Sequence, residues 1–228
     1  MTTEAETAPR AATLGDSDAM YRRLRGVVHG INRVCWRVEV HGAEHVPASG
    51  PVILAPVHRT IVDFFVVSEV TPRKIFYMAK EEIWRSPYLG SLVGSLGAFP
   101  VHRSGTDRLA LDRAQTVLNR GDVLILFPEG TRRQGPVVAE ILEGAPFLAA
   151  RTGAPVVPIA LSGTDRVVPP GSTVPRPAKI HVVVGPPLPP PERSERGRVP
   201  RHQVHAMGEA LRAALQEQYD RARELDRR

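Results

Sequence analysis

Six short runs of apolar, largely β-branched residues punctuate this chain: VILA (52–55), KIFYMA (74–79), FPV (99–101), VLILF (123–127), VVPIAL (156–161) and IHVVV (180–184). None alternates polar with apolar, so each reads as a strand covered on both faces rather than a half-solvated one. Segments of helical period separate most of them. That order predicts a single α/β domain with a central, mixed but mostly parallel sheet flanked by helices. A seventh short strand is expected over 37–40. At 228 residues the chain has room for one such domain with a substantial core and no second one.

The helical segments are expected over 61–70, over 81–96 with Pro and Gly interruptions, over 106–120 closed by Gly121, over 144–152, and from Pro200 to the end. The last carries Val204, Met207, Leu211, Leu215 and Leu225 on one face. PPLPPP (186–191) reads as a stiff connector. Ahead of the sheet, residues 1–15 read as a disordered tail without the apolar core of a signal peptide. Residues 16–36 read as an amphipathic helix capped by Asp16 or Ser17, and 37–228 as the main domain. Met20, Leu24, Val27, Val28, Ile31, Val34 and Cys35 keep helical spacing there, beside Arg22, Arg23, Arg25 and Arg33. Basic residues around an apolar stripe suit an anionic membrane interface, or the helix packs on the domain. The longest uncharged stretch, 86–101, is too short and too rich in Pro and Gly to span a bilayer.

The formal charge is +6, which attracts nucleic acid, anionic lipid and phosphorylated small molecules alike. With 5% aromatic residues and no interleaving of aromatic with basic positions, nucleic acid is disfavoured. Cys35 is the single cysteine, so no internal disulfide and no cysteine-pair zinc site can form.

Chemistry-bearing residues follow four of the strands. HRTIVD (58–63) leaves the first buried strand and opens a helix. With His58 in the turn and Asp63 on the first helical turn, the carboxylate can bond one imidazole nitrogen and leave the other as a base. The alternative is a surface histidine beside a helix-capping aspartate. FPEGTR (127–132) offers Glu129, Gly130, Thr131 and Arg132 at another strand end, either as a phosphate-binding loop or as a turn with solvated arginines. Lys80 and Arg103 end two further strands, and only three of the 30 basic residues are lysine. In an open sheet such ends converge on one edge. One base among several cations suits deprotonation of a hydroxyl on a phosphorylated substrate.

Other chemistries fit less well. Gly130 and Gly135 have the glycine spacing of a nucleotide P-loop, but Pro136 and Val137 stand where Lys and Ser/Thr are required. VGSLG (93–97) begins with valine where a nucleophile elbow needs glycine. No HExxH is present, and the metal ligands of a phosphohydrolase are missing. His41 and His45 flank a turn-like HGAEH and read as solvated.

HRTIVD, GAFPVHR (97–103), FPEGTR and the valine–proline strand Val157-Pro158-Ile159-Ala160, in this order, resemble the four blocks of the glycerolipid acyltransferase family. Its best-known class acylates 1-acylglycerol-3-phosphate. The likeness covers about residues 37–185. It implies His58 as general base and Asp63 as its orienting partner. It implies Arg103, Glu129, Gly130, Thr131 and Arg132 around the acceptor phosphate, with Lys80 beside them. It implies acyl-CoA or an acyl-carrier protein as donor, lysophosphatidic acid or a similar lipid as acceptor, no metal or other cofactor, and a place on the cytoplasmic face of the membrane. Val57 and Thr60 replace the family's usual Asn and Ser, and Arg133 its usual Ser, which bears on the acceptor's identity more than on the chemistry. Another lysophospholipid or a glycolipid intermediate is the alternative acceptor. A noncatalytic anionic-lipid-binding protein is the alternative of another class.

Overall fold

The computed structural model describes residues 18–101, 108–169, 172, 174–192 and 199–227. In chain order the elements are α1 (Asp18–Val34), β1 (Glu39–His41), β2 (Val52–Pro56), α2 (Asp63–Val67), β3 (Ile75–Lys80), α3 (Pro87–Ser95), β4 (Ala98–Val101), α4 (Arg108–Asn119), β5 (Val123–Ile125), α5 (Gly144–Thr152), β6 (Val156–Ser162), α6 (Thr164–Val167), β7 (His181–Val184) and α7 (Arg201–Arg227). The tail read over 1–15, the helix start at Asp16 or Ser17, and Thr106 lie outside the described residues.

The seven strands form one sheet in the order β1-β7-β6-β2-β5-β3-β4. All neighbours run parallel except β6 and β7. The expected mostly parallel α/β sheet is therefore what forms. β2, β5 and β6 are buried along their whole length, because helices cover both faces and leave no solvated side to alternate with. Val52, Ile53, Leu54, Val123, Leu124, Val156, Val157 and Ile159 form the centre of the core. The stripe Val204, Met207, Leu211 and Leu215 of α7 is buried against this sheet, chiefly β6 and β7.

Several boundaries differ from the sequence reading. The strand expected over 123–127 ends at Ile125, although Leu126 N still donates to Leu54 O at 3.0 Å. Phe127 thus leaves the sheet just where the site begins. The helix expected over 61–70 is a short α2 continued by a 3-10 turn, Ser68–Val70. The stretch 81–96 divides into a 3-10 turn, Glu81–Arg85, and α3, which Ser86 caps by accepting from Leu89 N at 3.4 Å. Gly97 has φ 93°, and a Cβ there would lie 2.2 Å from Ile75 O, so the turn into β4 admits only glycine.

Helix α1 packs on the domain along one edge. Tyr21 is buried and its hydroxyl accepts from Ile75 N at 3.2 Å. Arg25 donates to the carbonyls of Ser68, Thr71 and Pro72, closing the exposed end of the α2 segment. Asn32 bonds Phe65 O and Glu69. The opposite edge, with Met20, Val27, Ile31 and Val34, faces solvent.

Candidate active site

β2 is central in the sheet, and His58 lies in the loop just beyond its end. That loop is held on two sides. Asp63, the first residue of α2, is fully buried and turns back toward it. Its Oδ2 accepts from His58 Nδ1 at 2.9 Å, Arg59 N at 2.6 Å and Thr60 N at 2.8 Å, and its Oδ1 accepts from Thr60 Oγ1 at 3.0 Å. A carboxylate used only as acceptor requires the proton on Nδ1, which leaves the Nε2 lone pair available. Five residues of continuous helix would separate the pair. The irregular loop 57–62 brings them together instead.

Glu129 supports the loop from below. Its side chain is fully buried in the turn after β5. Oε2 accepts from His58 N at 3.1 Å and Arg59 Nη1 at 2.9 Å, while Oε1 accepts from Arg59 Nη1 at 3.2 Å and Ala139 N at 3.1 Å. The sequence reading set Glu129 around the acceptor phosphate; here its oxygens accept from the protein's own donors. It is the counter-charge of Arg59. A second anion beside it would also be repelled.

Gly130 has a conformational role. It adopts φ 68°, and a Cβ there would stand 2.3 Å from Leu142 Cδ1. Thr131 and Arg132 are exposed on the following loop. That loop folds back on the first one, with Arg133 N donating to His58 O at 2.8 Å. Lys80 is exposed at the end of β3, with β5 between β3 and β2, so roughly 10 Å of sheet separates it from the His58 strand. Arg103, two residues past β4, lies outside the described residues. The structure thus brings His58, Asp63, Glu129, Gly130, Thr131 and Arg132 together, and sets Lys80 farther along the same edge.

Three contributors escaped the sequence reading. Phe127 stacks on the His58 ring, centroids 4.0 Å apart and planes at 27°. This fixes the imidazole on the β5 side of the edge. Arg59 is buried and turns the other way, toward α7, where its Nε donates to Tyr219 Oη at 3.2 Å. Tyr219 extends the apolar stripe of α7 four residues beyond Leu215, and that spacing could have revealed it. Nothing in the sequence marks Arg59 as buried, since arginine is seldom so.

Val57 and Thr60, the two departures nearest the histidine, are both buried. Val57 is wholly in the core, and the Thr60 hydroxyl is spent on Asp63. His45 is not free in solvent: its Nδ1 stands 2.8 Å from Val184 O. His41 is half-buried against His181, ring centroids 5.9 Å apart. Glu39, His41 and His181 hold their potential ligand atoms within 4.8 Å of one another. That group lies on β1 and β7, at the far side of the sheet from His58, and Lys179 already pairs with Glu39 at 2.9 Å.

Between α1, α2 and β3 runs an apolar crevice lined by Tyr21, Val28, Phe64, Phe65, Tyr77 and Leu96, with a free volume of about 30 Å³. Phe64, Phe65 and Leu96 pack into this crevice from α2 and the turn before β4, whereas Leu92 of α3 is exposed.

A family model described as Acyltransferase matches residues 37–162, which contain every residue of the His58 site except Tyr219. The chain is 28% identical over 200 residues to the 1-acyl-sn-glycerol-3-phosphate acyltransferase of Bacillus subtilis, covering 87% of this chain and 96% of that one. It is 33% identical over 129 residues to the human 1-acyl-sn-glycerol-3-phosphate acyltransferase alpha, 55% of this chain but only 46% of the human protein. The crystal structure of the 1-acyl-sn-glycerophosphate acyltransferase PlsC from Thermotoga maritima shares the fold, with TM-score 0.68 over 86% of this chain and 78% of that one, at 23% identity. The matched span carries the His58–Asp63 pair and the FPEGTR loop in the geometry above, and the chain belongs to the acyltransferase family.

Proposed function

We propose that this acyltransferase moves a fatty acyl group from a thioester, acyl-CoA or acyl-carrier protein, to the free hydroxyl of 1-acylglycerol-3-phosphate, forming phosphatidate. The 2.9 Å contact between His58 Nδ1 and Asp63 carries the reading, together with the names of the relatives. His58 Nε2 takes the proton of the acceptor hydroxyl as that oxygen attacks the thioester carbonyl carbon. The tetrahedral intermediate collapses, the carbon–sulfur bond breaks, and the imidazolium protonates the leaving thiolate. The products are an ester and a free thiol, and His58 ends neutral as it began. Asp63 holds the ring in one tautomer throughout, and Phe127 limits its rotation.

Arg132, exposed beside this loop, is the cation we assign to the acceptor phosphate. Arg132→Ala is expected to raise the acceptor KM about tenfold with kcat largely kept, the scale of one lost charge-assisted hydrogen bond. An unchanged KM for lysophosphatidate would contradict that assignment. The overall reading is tested by free-thiol release from palmitoyl-CoA with a panel of acceptors. Lysophosphatidate should turn over fastest. Faster turnover of an uncharged or glycolipid acceptor would replace the acceptor, and absence of thiol release with all of them would remove the activity.

We assign the acyl chain to the crevice beneath α1, which must widen to admit it, because the present volume holds about one water molecule. Among the described residues no helix is long and apolar enough to cross a membrane. The reading supported by α1 is peripheral contact with the cytoplasmic membrane face. Val27 and Val34 are 62% and 76% exposed, and Arg22, Arg23 and Arg33 stand beside them. Tyr88, Leu89 and Leu92 of α3 are also exposed. Val27→Glu with Ile31→Glu should abolish co-sedimentation with anionic vesicles and preserve the fold. Undiminished co-sedimentation would assign membrane contact to another surface.

A further inference from the structure

A deep cavity on the described surface does not contain His58. It occupies about 590 Å³ and opens between the 59–61 loop, the 132–135 loop, the end of β6 and the last turns of α7. We propose that it binds the nucleotide phosphates of the acyl-CoA donor. The inference rests on the acyl-thioester reading above and extends it to a site for one kind of donor.

Charge is the first observation. Six arginines line the cavity, against Asp165 and Asp226. Two of the six are fixed by carboxylates: Arg59 by Glu129, and Arg166 by a two-pronged pair with Asp226. The Asp226 carboxyl is held below its ordinary range, chiefly by the hydrogen bond from Arg166. That pair therefore persists into acid and forms a fixed wall. Arg133, Arg223 and Arg227 have no carboxylate partner among the described residues, and Arg132 is left to the acceptor phosphate. This surplus of cations around a concavity suits a ligand with several phosphate charges. The volume lies within the range of small-molecule sites and exceeds what one phosphate needs.

The second observation is independent of the charge count. Arg59 is 9% exposed, lines the cavity, and its Nη2 is buried without a hydrogen-bond partner. A buried guanidinium N–H left unmet is costly, and in folded proteins such donors are nearly always satisfied. An amide carbonyl oxygen of the pantetheine arm at the inner end of the cavity meets it, with the phosphates farther out.

Position then separates donor from acceptor. His58 faces Phe127 and the β5 side, whereas its neighbour Arg59 faces Tyr219 and the β6–α7 side. In lysophosphatidate only a few bonds separate the reacting hydroxyl from the phosphate, so that phosphate must stand close to the imidazole. In acyl-CoA the phosphates lie beyond the long pantetheine arm and must stand away from it. Tyr219 and Arg227 both line the cavity, eight residues apart on α7, which is roughly 12 Å at 1.5 Å per residue. The inner end thus lies beside the catalytic loop and the outer end well away from it. A carrier protein would bring one phosphodiester and a broad acidic surface, which fits a concave pocket less well than a nucleotide does.

The test uses the full chain and two variants outside the catalytic loop, Arg223→Glu and Arg227→Glu. Free CoA, 3′-dephospho-CoA and 4′-phosphopantetheine are titrated calorimetrically without acceptor, and steady-state kinetics are run with palmitoyl-CoA and lysophosphatidate. Expected is a loss of CoA affinity of about tenfold or more in each variant. The palmitoyl-CoA KM should rise by a like factor, with kcat and the lysophosphatidate KM little changed. Arg223 also lies 5.9 Å from the Tyr219 ring, so Arg227→Glu in the last turn of α7 keeps the test open if Arg223→Glu fails to fold. Unaltered CoA binding in Arg227→Glu, a rise in the acceptor KM instead, or a loss confined to vesicle binding would each overturn the assignment. A wild-type chain that binds CoA in this cavity and transfers no acyl group would refute the activity alone. Normal transfer with kinetics blind to both arginines would refute the cavity alone.

Discussion

His58→Ala will lower kcat by about 10²–10⁴-fold, the usual contribution of a positioned general base, with little change in unfolding temperature. The side chain is 17% exposed and its ring stacks on Phe127, so its loss removes roughly 0.5–1.5 kcal/mol of aromatic contact. The polar framework around it survives, because Asp63 retains its bonds to Arg59 N, Thr60 N and Thr60 Oγ1. Loss of turnover with retained fold and retained substrate binding is the signature expected. Near-normal kcat in a folded variant would remove His58 from the chemistry.

Glu129→Gln will act in the opposite way, on stability first. The carboxylate is fully buried, and its partner Arg59 is 5% exposed at the side chain. Removing the charge leaves an uncompensated guanidinium in the interior, which costs about 3–5 kcal/mol for pairs of this kind. It also weakens the bond to His58 N, so activity falls along with the melting temperature. The reading that sets Glu129 against the acceptor phosphate predicts a different outcome: normal stability and an altered acceptor KM. Chemical denaturation and steady-state kinetics on the same preparation separate the two. An unchanged midpoint of unfolding would sink the buried-pair account.

The contrast between these residues shows what a linear sequence can carry. Sheet strands were legible because β2, β5 and β6 are buried on both faces and therefore spell continuous apolar runs. The His58–Asp63 pair was legible because both members lie within one loop and its following helical turn. The α7 stripe was legible because 3.6-residue periodicity records one buried face. Glu129 and Arg59 were not, because the letters E and R look alike whether solvated or buried. Their partnership joins loops 70 residues apart in sequence, and only the pairing of β2 with β5 brings those loops together. The role of Phe127 depends on β5 ending two residues sooner than its apolar run. The basic cavity was hidden for a related reason: Arg59, Arg133 and Arg223 come from three separate segments, and their convergence is tertiary.

The direct-attack mechanism makes the acceptor hydroxyl the nucleophile, and it has a distinct kinetic consequence. Rapid-quench measurement of thiol release from palmitoyl-CoA, with enzyme in stoichiometric amount and lysophosphatidate withheld, tests it most directly. The account predicts no release until acceptor is added, then thiol and phosphatidate appearing at equal rates. A burst of thiol equal to the enzyme concentration in the absence of acceptor would contradict it, since that requires an acyl group carried on the protein.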